Sequence, residues 1–229
     1  MARPPHDAYG DACLRFPKGG VPLAASAADI WADPGCPWSF VTANWLLEVE
    51  KVRDIRVTFH VMSLSVLNEK AGASAEESEA RVRAWGPVRV LTAASLTLGQ
   101  RALRELYLAL AALIHRERRR VFDRDFYTLA TSRAGLPYSL AYAAESPHYD
   151  DAVRASHDSR AEPGEEALGS PTVRVRRASG ESVAFYGPVI GHCPRGEAAG
   201  RLWDSLSLAA DTESFFELKR FRAGSPAFD

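Results

Sequence analysis

An α/β fold is predicted, in the order βαβ, a helical block, then ββα. Three observations carry it. A strand, a helix and a second strand follow one another between Ala28 and Met62. A long stretch without a convincing strand comes next, rich in helical apolar spacing. A two-stranded hairpin and a final helix close the chain after Thr172.

"ADIWAD" (Ala28–Asp33) is a short buried strand, and Pro34 and Gly35 stop it. A helix starts near Pro37, because proline suits the first helical turn. Trp38, Val41, Trp45 and Val49 then recur at helical spacing. "IRVTFHVM" (Ile55–Met62) is the second strand, with Ile55, Val57, Phe59 and Val61 on one face and Arg56, Thr58, His60 and Met62 on the other. Glu76–Trp85 is helix-prone, and Gly86-Pro87 is expected to break it. Val88–Leu98 and Arg101–Arg118 are further helices, the second with Leu103, Leu106, Leu110 and Ile114 on one stripe. Asp123 and Pro137 start shorter helices, and Tyr149–Ser159 adds another. Thr172–Arg177, the turn "ASGES" and the strand "VAFYG" form a hairpin. A helix over Glu197–Ala209 follows, and "FFELKR" is expected to add a last turn. The order is that of a thioredoxin-like fold with an inserted all-helical domain. It divides the chain into a flexible N-terminal extension (1–26), a thioredoxin-like unit (27–63 and 168–229) and a helical insertion (64–167).

Composition narrows the function. The 229 residues are 46% hydrophobic and 25% charged, with a net charge of −1. That balance offers no electrostatic reason to bind nucleic acid or an anionic membrane, and neither is an expected partner. The basic run Arg116–Arg120 reads as the solvated end of a helix. "LYLALAALI" (Leu106–Ile114) is too short to span a bilayer. The first 25 residues are rich in Pro, Gly and Ala and hold no continuous apolar run of a secretion signal, so the cytoplasm is the expected compartment. The cysteines are Cys13, Cys36 and Cys193. Their spacing has no zinc pattern, no metal is expected, and structural disulfides are not expected in a reducing compartment.

The chemistry concentrates in "DPGCPWSF", residues 33–40. Cys36 falls between the end of a strand and a helix N-terminus. Unpaired N–H groups and the helix dipole favour an anion there, and a thiolate is such an anion. "GSPT" (Gly169–Thr172) precedes the hairpin. A proline there in a thioredoxin-like fold is expected to be cis and to lie against the cysteine. Pro171 would then expose the backbone of Ser170 to an extended thiol or substrate.

"DPGCPWSFVTANWLLEVEKVRDIRVTFHVMSLSVLNE", "RAWGPVRV", "GSPT", "FYGPV", "PRGEAAGRLWD" and "FFELKR" stand in order from about Asp29 to Asp229. Together they resemble the DsbA-like oxidoreductases of actinobacteria known as mycothiol-dependent nitroreductases. The resemblance implies mycothiol, or another low-molecular-weight thiol, as the cofactor or partner. It implies Cys36 as nucleophile, Pro37 and Trp38 at the pocket, Pro171 as the cis-proline, and Asn68 of "LNE" at a pocket position. The family pattern is Cys-Pro-Trp-Cys, and here the last residue is Ser39. A second cysteine stores electrons in an internal disulfide and releases mixed disulfides. Serine does neither, although Ser39 has a hydroxyl to offer the Cys36 thiolate.

Cys193, in "GHCPRGE", is the candidate second thiol, but a small buried residue is the preferred reading, since a disulfide needs Cα atoms within about 7 Å. His60 is a candidate substrate contact, with a satisfied core histidine preferred. His192 is a candidate base beside Cys193. His115, His148 and His157 read as surface or interhelical groups. Three functions remain. The first is a single-thiol oxidoreductase working through a mixed disulfide that an external thiol resolves. The second is a cis-trans isomerase of a conjugated polyene or cinnamoyl-type substrate, by reversible thiolate addition. The third is a non-catalytic thiol- or substrate-binding module. The expected substrate is small and apolar or aromatic, and a homodimer is compatible with the sequence.

Overall fold

Alternation along the strands builds the sheet. The computed structural model describes residues 27–69, 75–161, 168–176, 179–221 and 224–228. The expected N-terminal extension and Cys13 lie outside them. In β1 (Ala27–Ala32) Ala28, Ile30 and Ala32 are buried on one face, as are Val57, Phe59 and Val61 in β2 (Arg56–Val61). These strands run parallel, with Ile30 opposite Phe59 and Trp31 opposite His60. β3 (Thr172–Arg176) lies antiparallel on the other side of β1, and β4 (Ser182–Tyr186) pairs antiparallel with β3. The sheet order is β2-β1-β3-β4. This is the predicted thioredoxin-like α/β arrangement.

α1 (Pro37–Val49) begins where predicted, with Pro37 in its first turn. It packs against α7 (Glu197–Ala210) through Trp45, whose ring is wholly buried against Trp203 and whose Nε1 donates to the Ala199 carbonyl at 3.1 Å. Truncating such a side chain to alanine costs about 3–5 kcal/mol. α2 (Leu64–Leu67) is a short helix that the periodicity does not reveal. Ser63 caps it, its Oγ accepting from the Val66 N–H at 3.3 Å.

The helical block differs from expectation at its first break. α3 (Ala75–Leu98) runs through Gly86 and Pro87 as one helix. Proline removes one backbone bond, but Val88, Val90, Leu91, Ala93 and Ala94 behind it are almost wholly buried, and their packing holds the helix. α4 (Gln100–His115) carries the predicted apolar stripe and ends before the basic run. α5 (Arg124–Arg133) is capped by Asp123, whose Oδ1 accepts from the Phe126 N–H at 2.9 Å. After Pro137 the chain forms a 3₁₀ helix, Tyr138–Glu145. α6 (Asp150–Asp158) covers the Trp31 face of the sheet, where Trp31 Nε1 donates to the Ser156 carbonyl and Ser159 Oγ, both at 3.0 Å.

"FFELKR" (residues 215–220) is not helical. Phe216 and Leu218 are exposed there, so no buried stripe supports a helix. Phe215 instead packs towards Phe185 of β4. One buried apolar cluster joins the sheet, α1, α7 and the helical block. Among the described residues, no helix is long and apolar enough to cross a membrane.

Candidate active site

The loop between β1 and α1 is folded by one carboxylate. Asp33 Oδ1 accepts from the Gly35 N–H at 2.7 Å, and its carbonyl accepts from the Cys36 N–H at 3.0 Å. Its Oδ2 accepts from the Leu64 N–H at 2.7 Å, which ties the loop to the start of α2. Burial pushes the Asp33 carboxyl up to about 6, against the pull of the two N–H bonds. The sequence reading treats Asp33 only as the end of a strand. Its available signal is a carboxylate directly before Pro-Gly-Cys, where a short side chain bonds the backbone two residues on.

Cys36 occupies the N-cap of α1, with extended φ and ψ of −84° and 114°. No side chain caps this end, and no acidic residue stands in its first turn, so the helix N-terminus is left to the sulfur. Cys36 is 5% exposed, and its S–H donates to the Ser170 carbonyl at 3.5 Å. The Ser170–Pro171 bond is cis. A second cis bond, Gly187–Pro188, lies where the sequence predicts nothing unusual. The Pro188 carbonyl accepts from Thr42 Oγ1 of α1 at 2.8 Å.

Ser39 is wholly buried, and its partner is not Cys36. Its Oγ is 2.6 Å from the Ser170 Oγ, one hydroxyl donating to the other. The expected Ser39 bond to the thiolate is thus replaced by a bridge from α1 to the loop before β3. Pro37 and Trp38 are half-buried beside Cys36 in the chain. Asn68 is exposed at the C-cap of α2, with no side-chain hydrogen bond to Cys36.

Each histidine is placed by its partners, and His60 takes the preferred, satisfied reading. His60 is held by Asp29, with Nε2 and Oδ1 2.8 Å apart, and stacks on Trp31 at 4.3 Å. Strand alternation places it on the face covered by α6, as a satisfied histidine. His115 reaches the site loop: its Nε2 donates to the Pro34 carbonyl at 2.9 Å, and its ring stacks on Phe40 and Phe228. Burial lowers its basicity. His157 is buried and accepts from the Ser63 N–H through Nδ1 at 3.3 Å. His192 is exposed.

Among the described residues, no disulfide joins Cys36 to Cys193. Cys193 lines a separate cavity of about 170 Å³ with Phe40, Val41, Arg116, Arg195 and Phe228. Its sulfur is 3.5 Å from the Pro194 carbonyl. Among the described residues, no group of His, Cys, Asp or Glu is placed to hold a metal.

A cysteine at a helix N-terminus, beside a cis-proline loop on a thioredoxin-like sheet, gives the chain the layout of a DsbA-like α/β fold. Comparison with known proteins gives the family. Residues 35–220 match the Rv2466c-like family, described as mycothiol-dependent nitroreductase Rv2466c, and the chain belongs to that family. It is an enzyme of the thiol-dependent oxidoreductase class. The uncharacterized protein Rv2286c of Mycobacterium tuberculosis is 25% identical over 199 residues, covering 85% of this chain and 82% of its own. In fold, the chain is similar to the cytosolic disulfide reductase DsbM from Pseudomonas aeruginosa, at 16% identity, with a TM-score of 0.50 over 79% of this chain and 96% of DsbM. A structure of DsbM with GSH is equally similar, with a TM-score of 0.50 and 17% identity over the same shares of the two chains.

Proposed function

We propose that the protein catalyses thiol–disulfide exchange through Cys36 alone, with mycothiol as the small thiol. The observation that carries this is the Ser39–Ser170 bridge. The position that holds a second cysteine in the family pattern holds a hydroxyl here, and that hydroxyl is engaged. A mixed disulfide on Cys36 is therefore resolved from outside.

The Cys36 thiolate attacks the mycothiol sulfur of a mixed disulfide between mycothiol and a substrate thiol. A bond forms between Cys36 and mycothiol, and the substrate leaves as its thiolate. A second mycothiol thiolate then attacks the mycothiol sulfur bound to Cys36, releases mycothiol disulfide and restores the Cys36 thiolate. The substrate disulfide is reduced by two electrons, and two mycothiols supply the two sulfurs of the product. The backbone of Ser170, set against the sulfur, fits a cysteinyl thiol laid alongside it. Pro37 and Trp38 border its approach. On this reading the thioredoxin-like unit (27–63 and 168–229) supplies the nucleophile, the helical insertion (64–167) covers it, and the enzyme works in the cytoplasm on a small, apolar or aromatic substrate.

The same bridge favours a second reading, because addition–elimination also needs one sulfur and no resolving cysteine. The thiolate adds to the β-carbon of a conjugated carbonyl, the former double bond rotates, and the thiolate departs with no net redox change. One experiment separates the two. The protein is incubated with a mycothiol mixed disulfide and with a cinnamoyl-type acyl substrate, each with and without free mycothiol. Thiol consumption and alkene geometry are both followed. The exchange reading expects mycothiol disulfide to accumulate, with at least a ~100-fold loss in Cys36→Ala and little change in Cys193→Ala. Isomerisation without thiol consumption overturns it in favour of the second reading.

A further inference from the structure

Asp33, Pro34, Gly35 and Cys36 form a β-turn, closed by the Cys36 N–H donating to the Asp33 carbonyl at 3.0 Å. Two turn types suit these four positions, and they differ by a rotation of the central Pro34–Gly35 peptide through about 180°. Proline followed by glycine is the pair that favours type II, because type II needs a positive φ at the third position. The φ of Gly35 is not positive, so the turn is type I. Groups outside the turn therefore hold its central peptide against the local preference.

Both ends of that peptide are tied. The Gly35 N–H donates to Asp33 Oδ1 at 2.7 Å, and the Pro34 carbonyl accepts from His115 Nε2 at 2.9 Å. Rotation would break both bonds at once. His115 comes from the last turn of α4, and its ring is set by two others. Its centroid is 5.7 Å from that of Phe40 and 5.3 Å from that of Phe228, and those two are 5.7 Å apart. Phe40 belongs to α1. Phe228 belongs to the C-terminal tail, where the Ala227 N–H donates to the Gly191 carbonyl at 2.8 Å.

We propose that His115 is a positioning residue for Cys36: it locks the Pro34–Gly35 peptide in the type I sense, and Phe228 of the C-terminal tail holds the His115 ring to that carbonyl. The lock fixes how the turn delivers Cys36 to the start of α1. With the lock released, the turn divides between two arrangements, and only one sets the sulfur against the Ser170 carbonyl. The link to turnover rests on Cys36 being the working thiol.

The test is amide hydrogen exchange, read by NMR at the Gly35 and Cys36 N–H groups of the full chain. The Cys36 N–H closes the turn in both types, whereas rotation of the central peptide takes the Gly35 N–H away from Asp33. His115→Phe keeps an aromatic ring and removes the donor. It should raise Gly35 exchange roughly tenfold and leave Cys36 unmoved. His115→Gln, which keeps a side-chain N–H, should hold Gly35 closer to the parent than His115→Phe does. Phe228→Ala should release Gly35 in the parent and add nothing in His115→Phe, because it acts through the histidine. The kcat for thiol–disulfide exchange with a mycothiol mixed disulfide should fall as Gly35 is released, with KM unchanged. Gly35 unmoved in His115→Phe, Gly35 and Cys36 rising equally, or kcat unchanged with Gly35 released each overturns the proposal. Turnover that survives Cys36→Ala instead overturns the working-thiol reading, and Gly35 exchange still reports on the lock.

Discussion

Ser39 and Ser170 form a closed pair beside Cys36. Each hydroxyl is buried and is satisfied by the other at 2.6 Å. Removing one leaves its partner unpaired, while removing both leaves nothing to satisfy. Ser39→Ala and Ser170→Ala should each cost about 1–2 kcal/mol, and the double variant should cost no more than one of them. Urea denaturation of the four proteins checks this, and additive losses would mean that the two hydroxyls are not coupled. The pair also explains why Ser39 is a poor thiolate donor: its hydrogen bond runs to the loop before β3.

At the scale of elements, α3 shows how packing overrides a local breaker. Gly86 sits where α3 meets α5 and the 3₁₀ helix. A Cβ placed there would lie 2.1 Å from the Tyr127 hydroxyl oxygen and 3.6 Å from the Ala144 Cβ. The glycine is therefore needed for close approach, and the helix continues through it. Gly86→Ala should destabilise the protein by about 1–3 kcal/mol, from overpacking. Tyr127→Phe in the same chain should return part of that loss, since it removes the nearest atom but leaves the ring carbon at 2.9 Å. Thermal melts of the single and double variants decide it, and a Gly86→Ala protein as stable as the parent would refute the close-approach account.

The whole molecule carries two buried ionisable groups that act on stability in opposite senses. Asp33 moves from 3.8 to about 6 in the folded protein, chiefly through burial. Its contribution is complete below about pH 4 and is lost as the pH rises through about 6. His157 moves from 6.5 to about 4, through burial and the charge of Arg160. Its contribution is complete above about pH 6.5 and is lost as the pH falls through about 4. Each is worth about 3 kcal/mol, so the two slopes nearly cancel between these limits. Removing one should expose the other. Relative to the parent, His157→Asn, which keeps an acceptor for the Ser63 N–H, should lose stability as the pH rises from 4 to 6.5, and Asp33→Asn should gain it. Urea denaturation at three pH values across that window tests the pair, and curves parallel to the parent would reject the balance.

What the sequence determined by itself is local and periodic. Strand alternation, the proline after Cys36, "GSPT" before the hairpin and the leucine stripe of α4 each depend on residues near in the chain, and the thioredoxin-like order follows from them. The place of Cys36 at the start of α1 was legible for the same reason, since a cysteine at a strand-to-helix junction is a local pattern. The tertiary structure decided which distant groups meet it. Ser170 reaches Ser39 across 131 residues, and His115 reaches Pro34 across 81. The continuity of α3 through Pro87 and the irregular course of residues 215–220 were decided there too. Each depends on whether a buried surface exists to be covered, and that surface forms only when segments far apart in the chain pack together.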